Sequence, residues 1–347
     1  MQIEFSSFAE FLPSGCISDH SPCIVSTFAY DEHKRKPFRF FNMWTKHENF
    51  YGIVLSVWNL GIRGTKQFSP CKKLQRLKEV LKELNVKHFG DISTRAEVTT
   101  KVLKETQLVL HDDPTNPHLQ NEVVPLRREA MNLCEAERSF YFQQAKCAYW
   151  KNSDKCTKSF HSMVKRSTKR TFIAAVLKRD GSYSSSQKEV ADEFTHAFSE
   201  LLGKDSIGLP FEAKILEFGP SLTEEHATSI VQDVSRQEIK DALFSIGDNK
   251  SPGMDGYTSY FFKEAWNSVG DEFLGAIGEF FASRSLLKQT NHTIIALVPK
   301  ANHSSSVNNY RPIACCNVSI MSPLRYLPLG WVLLLSPLLI KLKPLLW

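Results

Sequence analysis

Apolar residues recur at three- and four-residue steps through much of the chain, a spacing that puts them on one face of a helix. Leu74, Leu77, Leu81 and Leu84 make the clearest such stripe. It is interrupted at Gly90 and Asp91, and a second helix is expected from about Thr94 to Leu110 with Val98, Val102 and Leu108 on its apolar face. His111–Pro117 carries two prolines beside Asn and Asp, residues that favour local chain reversal. A long helix is expected over about His118–Trp150, broken near Pro125 because proline removes a backbone donor. Two long helices joined by a short turn read as a helical hairpin.

The flanking stretches have other textures. The first, to about Tyr30, reads as loop followed by a short β-rich run at Cys23–Phe28. A helix is expected from Lys46 to Trp58, ended by Asn59, Gly61 and Gly64. Ile173–Leu177 and Ser182-Tyr183 flank Asp180-Gly181, the pattern of a small hairpin closed by a DG turn. A helix from Gln187 to Leu202 should bury Val190, Phe194, Ala197, Phe198 and Leu201. Ser235 and Glu238 have capping-box spacing at the start of a helix over Arg236–Ser245. Then come a turn-rich loop at Asn249–Gly256, helices at about Tyr260–Val269 and Asp271–Arg284, and a strand at Thr293–Val298 ended by Pro299. From Ser319 to Trp347 the pattern changes to Leu, Pro, Val, Ile, Trp and Ser, with prolines at 323, 328, 337 and 344. The fold class expected from these elements is mostly α with a smaller α+β part.

Composition narrows this picture modestly. A length of 347 residues suits two domains, and 42% hydrophobic with 23% charged residues permits a sizeable core. The net charge of +6 permits an anionic partner without requiring one. The eight cysteines form no CxxC pair and no histidines stand at zinc-finger spacing, so free thiols in a reducing compartment and no metal site are expected. Glu4 and Glu10 interrupt the first apolar residues and no basic run precedes them, so the chain is expected to be nuclear or cytoplasmic and not secreted. Oligomeric state is not readable from these features.

Three patterns carry candidate chemistry. Ser18-Asp19-His20-Ser21-Pro22 sets a carboxylate beside an imidazole ahead of a strand; in isolation it is a surface loop, and the pair acts on phosphate only when a metal or water completes the site. The stretch Lys146–Arg170 holds Lys146, Lys151, Lys155, Lys158, Lys165, Arg166, Lys169 and Arg170 against one acid, Asp154, with Tyr149, Trp150 and Phe160 interleaved. Such cations attract nucleic-acid phosphates and such rings stack on bases, whereas the plain alternative is a solvated helix face over core aromatics. The third pattern is a series in fixed order: Asn249–Tyr257 (NKSPGMDGY), Phe261–Trp266 (FFKEAW), Leu297–Lys300 (LVPK) and Tyr310–Val318 (YRPIACCNV).

That series resembles the N-terminal, fingers part of the reverse transcriptase of plant LINE-type (non-LTR) retrotransposons, where Pro often stands in place of Met254. SDHSP resembles the closing motif of the apurinic-type endonuclease at the front of such polyproteins, and Ser153–His161 (SDKCTKSFH) resembles the connector between the two enzymes. The resemblance implies a layout of endonuclease remnant (1–30), helical connector with a small β element (31–219), fingers (220–318) and an aberrant apolar tail (319–347). It implies that Asp19 and His20 are a catalytic pair left without the rest of their site. It also implies that Lys300 and Arg311 contact the phosphates of an incoming nucleotide, as cations on a hairpin-like flap suit charge-assisted bonds to phosphate. The intact family needs Mg2+, held by palm carboxylates in motifs of the FxxDxxAFD and YADD type. Past Val318 this sequence holds no Asp or Glu, so the chain is expected to hold no cofactor and to be a catalytically inactive fragment that turns over no small molecule.

RNA or DNA is the expected partner, and Lys151, Lys155, Lys158, Lys165 and Arg166 are the expected nucleic-acid contacts. A non-enzymatic basic helical nucleic-acid-binding protein is the alternative from another class. For the tail, translation in a wrong frame or of an intron competes with a membrane anchor and with an ordinary buried segment. Its uncharged run Tyr326–Ile340 falls short of the ~20 residues of a spanning helix and contains two prolines, so no membrane role is expected.

Overall fold

A computed structural model of the chain describes residues 5–11, 21, 23–29, 37–145, 173–203, 224, 232–301 and 306–319. Asp19, His20, Lys151, Lys155, Lys158, Lys165, Arg166 and the tail beyond Ser319 lie outside the described residues. The elements are β1 (Phe5–Phe11), β2 (Cys23–Ala29), a 3-10 turn (Asn42–Lys46), α1 (Phe50–Trp58), α2 (Phe68–Leu84), α3 (Ile92–Asp112) and α4 (Pro117–Ala145). They continue with α5 (Gln187–Gly203), α6 (Arg236–Phe244), α7 (Ser259–Glu264), α8 (Trp266–Ser283), β3 (Thr293–Pro299), a 3-10 turn (Val307–Asn309) and β4 (Tyr310–Cys316). The described chain is mostly helical, with β1 paired to β2 and β3 to β4 in two separate two-stranded sheets.

Contacts divide the chain into two compact units that interleave in sequence. One comprises Met1–Lys36, Arg166–Gly219 and Ile295–Ala314; the other comprises Pro37–Lys165, Pro220–Ile294 and Cys315–Trp347.

The second unit holds the larger core. The leucine stripe of α2 is buried as its period demands, with Leu77 and Leu81 inaccessible to solvent. It joins Phe40, Trp44, Phe50, Val54, Leu243, Ile246, Tyr257, Phe261 and Val269 in one apolar cluster. Aromatic rings supply much of it: Trp44 meets Phe40 edge-on at 5.3 Å, and Tyr257 lies 4.7 Å from Phe261. Lys73 is buried on α2, donating to the Trp58 carbonyl and pairing with Glu272, which compensates its charge.

The helical hairpin forms. Ser93 and Tyr141 hydroxyls meet at 2.8 Å and Thr100 approaches Cys134 at 3.7 Å, so the start of α3 faces the end of α4. The apolar face expected for α3 is corrected: Val98, Val102 and Leu108 are exposed, and Ile92 and Ala96 are the buried residues. α3 turns a mixed Ala-Thr-Leu face to its one long neighbour, leaving the valine stripe to solvent. α4 runs unbroken through Pro125 to Ala145, because the missing donor lies on an exposed face. The helix expected over Lys46–Trp58 is a 3-10 turn and then α1, separated where His47 Nδ1 accepts from the Asn49 amide at 3.2 Å.

In the first unit, β1 occupies a stretch expected to be loop and pairs antiparallel with β2, Phe5 opposite Ala29 and Phe11 opposite Cys23. The small β element closes as its DG turn predicts. Gly181 adopts φ 82°, its amide donates to the Lys178 carbonyl at 3.1 Å, and the Lys178 amide donates to Ser182 at 2.8 Å. A compact core of Val176, Val190, Phe194 and Tyr310 ties this element to α5 and β4. Leu201, expected in that core, is 70% exposed. The core is small, and Phe198 is the last α5 residue packed against it, so among the described residues Leu201 lies beyond its edge.

Candidate phosphate-binding cleft

β3 runs as an apolar strand to Pro299, which cannot donate to a ladder, so the chain leaves the sheet at Lys300. A 3-10 turn at Val307–Asn309 leads into β4. The Lys300 amide donates to the Asn309 carbonyl at 2.8 Å and closes the flap. The Lys300 ammonium also donates to the Asn308 carbonyl at 2.8 Å, which leaves it two further donors. Arg311 is the second residue of β4 and is exposed.

Lys300 and Arg311 line one cleft of about 680 Å3. Its other walls are the turn after Val176, contributing Leu177, Lys178 and Arg179, and the face of α5 carrying Glu193, Phe198, Glu200 and Leu201. An isolated parallel bridge between Leu177 and Ser306 holds the small β turn against the flap turn. Tyr310 closes the base: its ring meets Phe194 edge-on at 5.1 Å, and burial raises its hydroxyl pKa above the usual tyrosine value.

Lys178 and Arg179 were not among the residues the sequence singled out. The Asp180-Gly181 turn was legible, but only the bridge to Ser306 places its cations in the same cleft as Lys300 and Arg311. The charges here are partly compensated. Lys178 lies 3.7 Å from Asp180 and 3.8 Å from Glu189, and Arg179 pairs with Glu200. Asp180 accepts from the Ser182 hydroxyl and amide, and Glu189 from the Ser185 amide and hydroxyl, so both carboxyls sit below their usual pKa.

Among the described residues the cleft offers no ligand set that fits a divalent metal. Its carboxylates, Glu193 and Glu200, stand two turns apart on α5, roughly 10 Å along the axis, and Glu200 is engaged by Arg179. Among the described residues no group of three or more His, Cys, Asp or Glu side chains converges to hold a metal ion.

The NKSPGMDGY loop has a different role from the flap. Gly253 lies so close to the Cys316–Asn317 backbone that a Cβ there would overlap it, and Gly256, at φ 81°, lies equally close to the Phe38 carbonyl. The Asp255 amide donates to Asn317 Oδ1 at 3.1 Å, Asn317 Nδ2 donates to the Thr290 carbonyl at 3.0 Å, and the Phe40 amide donates to the Gly256 carbonyl at 2.9 Å. The loop therefore clasps the Phe38–Phe40 segment and the end of β4 together. Beside it lies a mainly apolar cavity of about 390 Å3 lined by Cys71, Leu74, Asp255, Phe273 and Ile277 among others. Burial pushes the Asp255 carboxyl up to about 7 and the Cys71 thiol up to about 11, which leaves that thiol protonated and unreactive at neutral pH.

No family model matches the chain. Over 196 residues, 56% of its length, the chain is 22% identical to a Xenopus laevis protein described as "Transposon TX1 uncharacterized 149 kDa protein". The matched stretch spans 15% of that protein. The likeness supports a retrotransposon-related origin for this chain.

With that origin, the geometry separates the motifs into two kinds. LVPK and YRPI present cations to solvent in one cleft, whereas NKSPGMDGY and the Asn317 end of YRPIACCNV pack against each other. Among the described residues no helix is long and apolar enough to cross a membrane.

Proposed function

We propose that the chain is part of a non-LTR retrotransposon polyprotein of the LINE type whose parent activity is RNA-directed DNA synthesis, and that its β3–β4 flap is the fingers element that grips nucleotide phosphates. One observation carries the reading: Lys300 and Arg311, drawn from two separate sequence strings, line the same cleft. A triphosphate carries several negative charges, and a guanidinium can take two of its oxygens while an ammonium takes a third. The transposon likeness and the order of the four sequence strings support the same parent.

These residues bind without catalysing. Phosphoryl transfer of this kind needs acidic side chains that hold two metal ions against the attacking and leaving oxygens. The described residues offer no such acidic set beside Lys300 and Arg311, where Glu193 and Glu200 stand two turns apart on α5. The 347 residues are therefore proposed to be inactive as a polymerase.

The test uses the full chain and dGTP in a calorimetric titration beside a primer-extension assay on an RNA template. Replacing Lys300 and Arg311 together by Gln should weaken dGTP binding roughly 30- to 100-fold, as expected for two charge-assisted bonds in a partly solvated site. Primer extension should be absent. Unchanged dGTP affinity in the double variant would remove the phosphate-grip reading, and extension of the primer would remove the inactivity.

A further inference from the structure

We propose that Arg179 is a third phosphate-contacting residue of this cleft, and that the Glu200 carboxylate occupies the place on it that a ligand phosphate takes. The inference rests on the reading of the cleft as a nucleotide-phosphate site. It adds a residue from outside the flap and a carboxylate that competes with the ligand.

Arg179 stands at the head of the Asp180-Gly181 turn, which the Leu177–Ser306 bridge sets beside the turn leading into Arg311. Its guanidinium donates to Glu200, with both side chains more than one third exposed, at 59% and 40%. His196, one turn back on α5, lies 3.7 Å from the same carboxylate. Glu200 thus faces the cleft with its carboxylate held by the Arg179 guanidinium, as a phosphate would be.

The strengths of the two partnerships decide which anion wins. An exposed ion pair is weak, because water screens it and two long side chains must be held still. A polyphosphate brings more charge and more acceptor oxygens than one carboxylate, and it is held at the same time by Lys300 and Arg311. Arg179 therefore exchanges Glu200 for phosphate when a polyanion enters. No bond is made or broken covalently; one acceptor leaves the guanidinium and another arrives. A singly charged anion lacks the surplus and leaves the pair intact, so Glu200 sets a threshold that selects polyphosphates.

The sign of the Glu200 effect makes the inference testable. In the dGTP titration with the full chain, Arg179→Gln should lower affinity roughly ten-fold, and Arg179→Lys, which keeps the charge without the fork, should fall between it and the unaltered chain. Glu200→Gln should raise affinity about three-fold, by removing a competitor worth no more than an exposed pair. In the double variant R179Q/E200Q that gain should vanish, because Glu200 acts through Arg179. An Arg179→Gln affinity equal to that of the unaltered chain overturns the inference, as does a Glu200→Gln gain that survives without Arg179, or a Glu200→Gln loss. If K300Q/R311Q loses binding while the Arg179 and Glu200 variants match the unaltered chain, this inference alone falls. If the unaltered chain does not bind dGTP, both it and the reading beneath it fall.

Discussion

At the scale of single residues, the decisive constraint in the NKSPGMDGY loop is space. Gly253 has the Asn317 amide and the Cys316 carbonyl carbon where a side chain would begin, so any larger residue must push β4's end away from the loop. Backbone rather than a flexible side chain is the obstacle, and a close-packed interior transmits such a shift. Gly253→Ala is expected to cost about 2–4 kcal/mol of stability in the unit containing α1–α4. Urea unfolding followed by fluorescence of the buried Trp44 and Trp58 would measure it; a midpoint unmoved by the substitution would mean that the clasp contributes nothing. Lys300 and Arg311 were legible in the sequence because they sit in strings with a recognisable order. Arg179 was not, because its place depends on a bridge to a residue far along the chain that no local pattern encodes.

Elements were legible where one long period dominated. The α2 leucine stripe, the Ser235–Glu238 capping box and the Asp180-Gly181 turn all appear where local chemistry puts them, with Ser235 Oγ accepting from the Glu238 amide at 3.2 Å. They were illegible where tertiary contacts overrode the pattern. β1 reads FSSFAEF, apolar at every third residue, and only pairing with β2 makes it extended. The α3 face turns toward its partner helix and away from its valines. Pro125 is the sharpest case, a proline inside a 29-residue helix that neither breaks nor ends it. Since its ring is exposed, it contributes little packing and costs a backbone hydrogen bond. Pro125→Ala should restore that donor and stabilise the hairpin by about 1–2 kcal/mol, less than the full penalty because the backbone has already adapted. Thermal melting followed at the helical circular dichroism band would show a rise; a fall would mean that Pro125 positions α4 in a way the contacts do not reveal.

For the molecule as a whole, the two compact units carry titrating groups of opposite sign. In the unit with the cleft, Asp180 and Glu189 are held below their ordinary pKa by hydrogen bonds from Ser182 and Ser185, so the stability they contribute is present above the unfolded carboxylate range and lost as pH falls. In the other unit, burial raises Asp255 from 3.8 to about 7. Between those values the folded state keeps a proton that the unfolded state has released, so stability is full below pH 4 and declines as pH rises through 7. One pKa unit corresponds to about 1.4 kcal/mol, so the decline is on the order of 4 kcal/mol. Asp255→Asn removes the charge but keeps an oxygen able to accept from the Tyr257 amide, a bond of 3.0 Å in the native loop. The variant should match the unaltered chain near pH 4 and exceed it in unfolding free energy at pH 7.5, where the native carboxylate is ionised in a largely desolvated site. Equal stabilities at both pH values would show that the loop opens to solvate Asp255, and the clasp between the two ends of this unit would then be looser than its glycines demand.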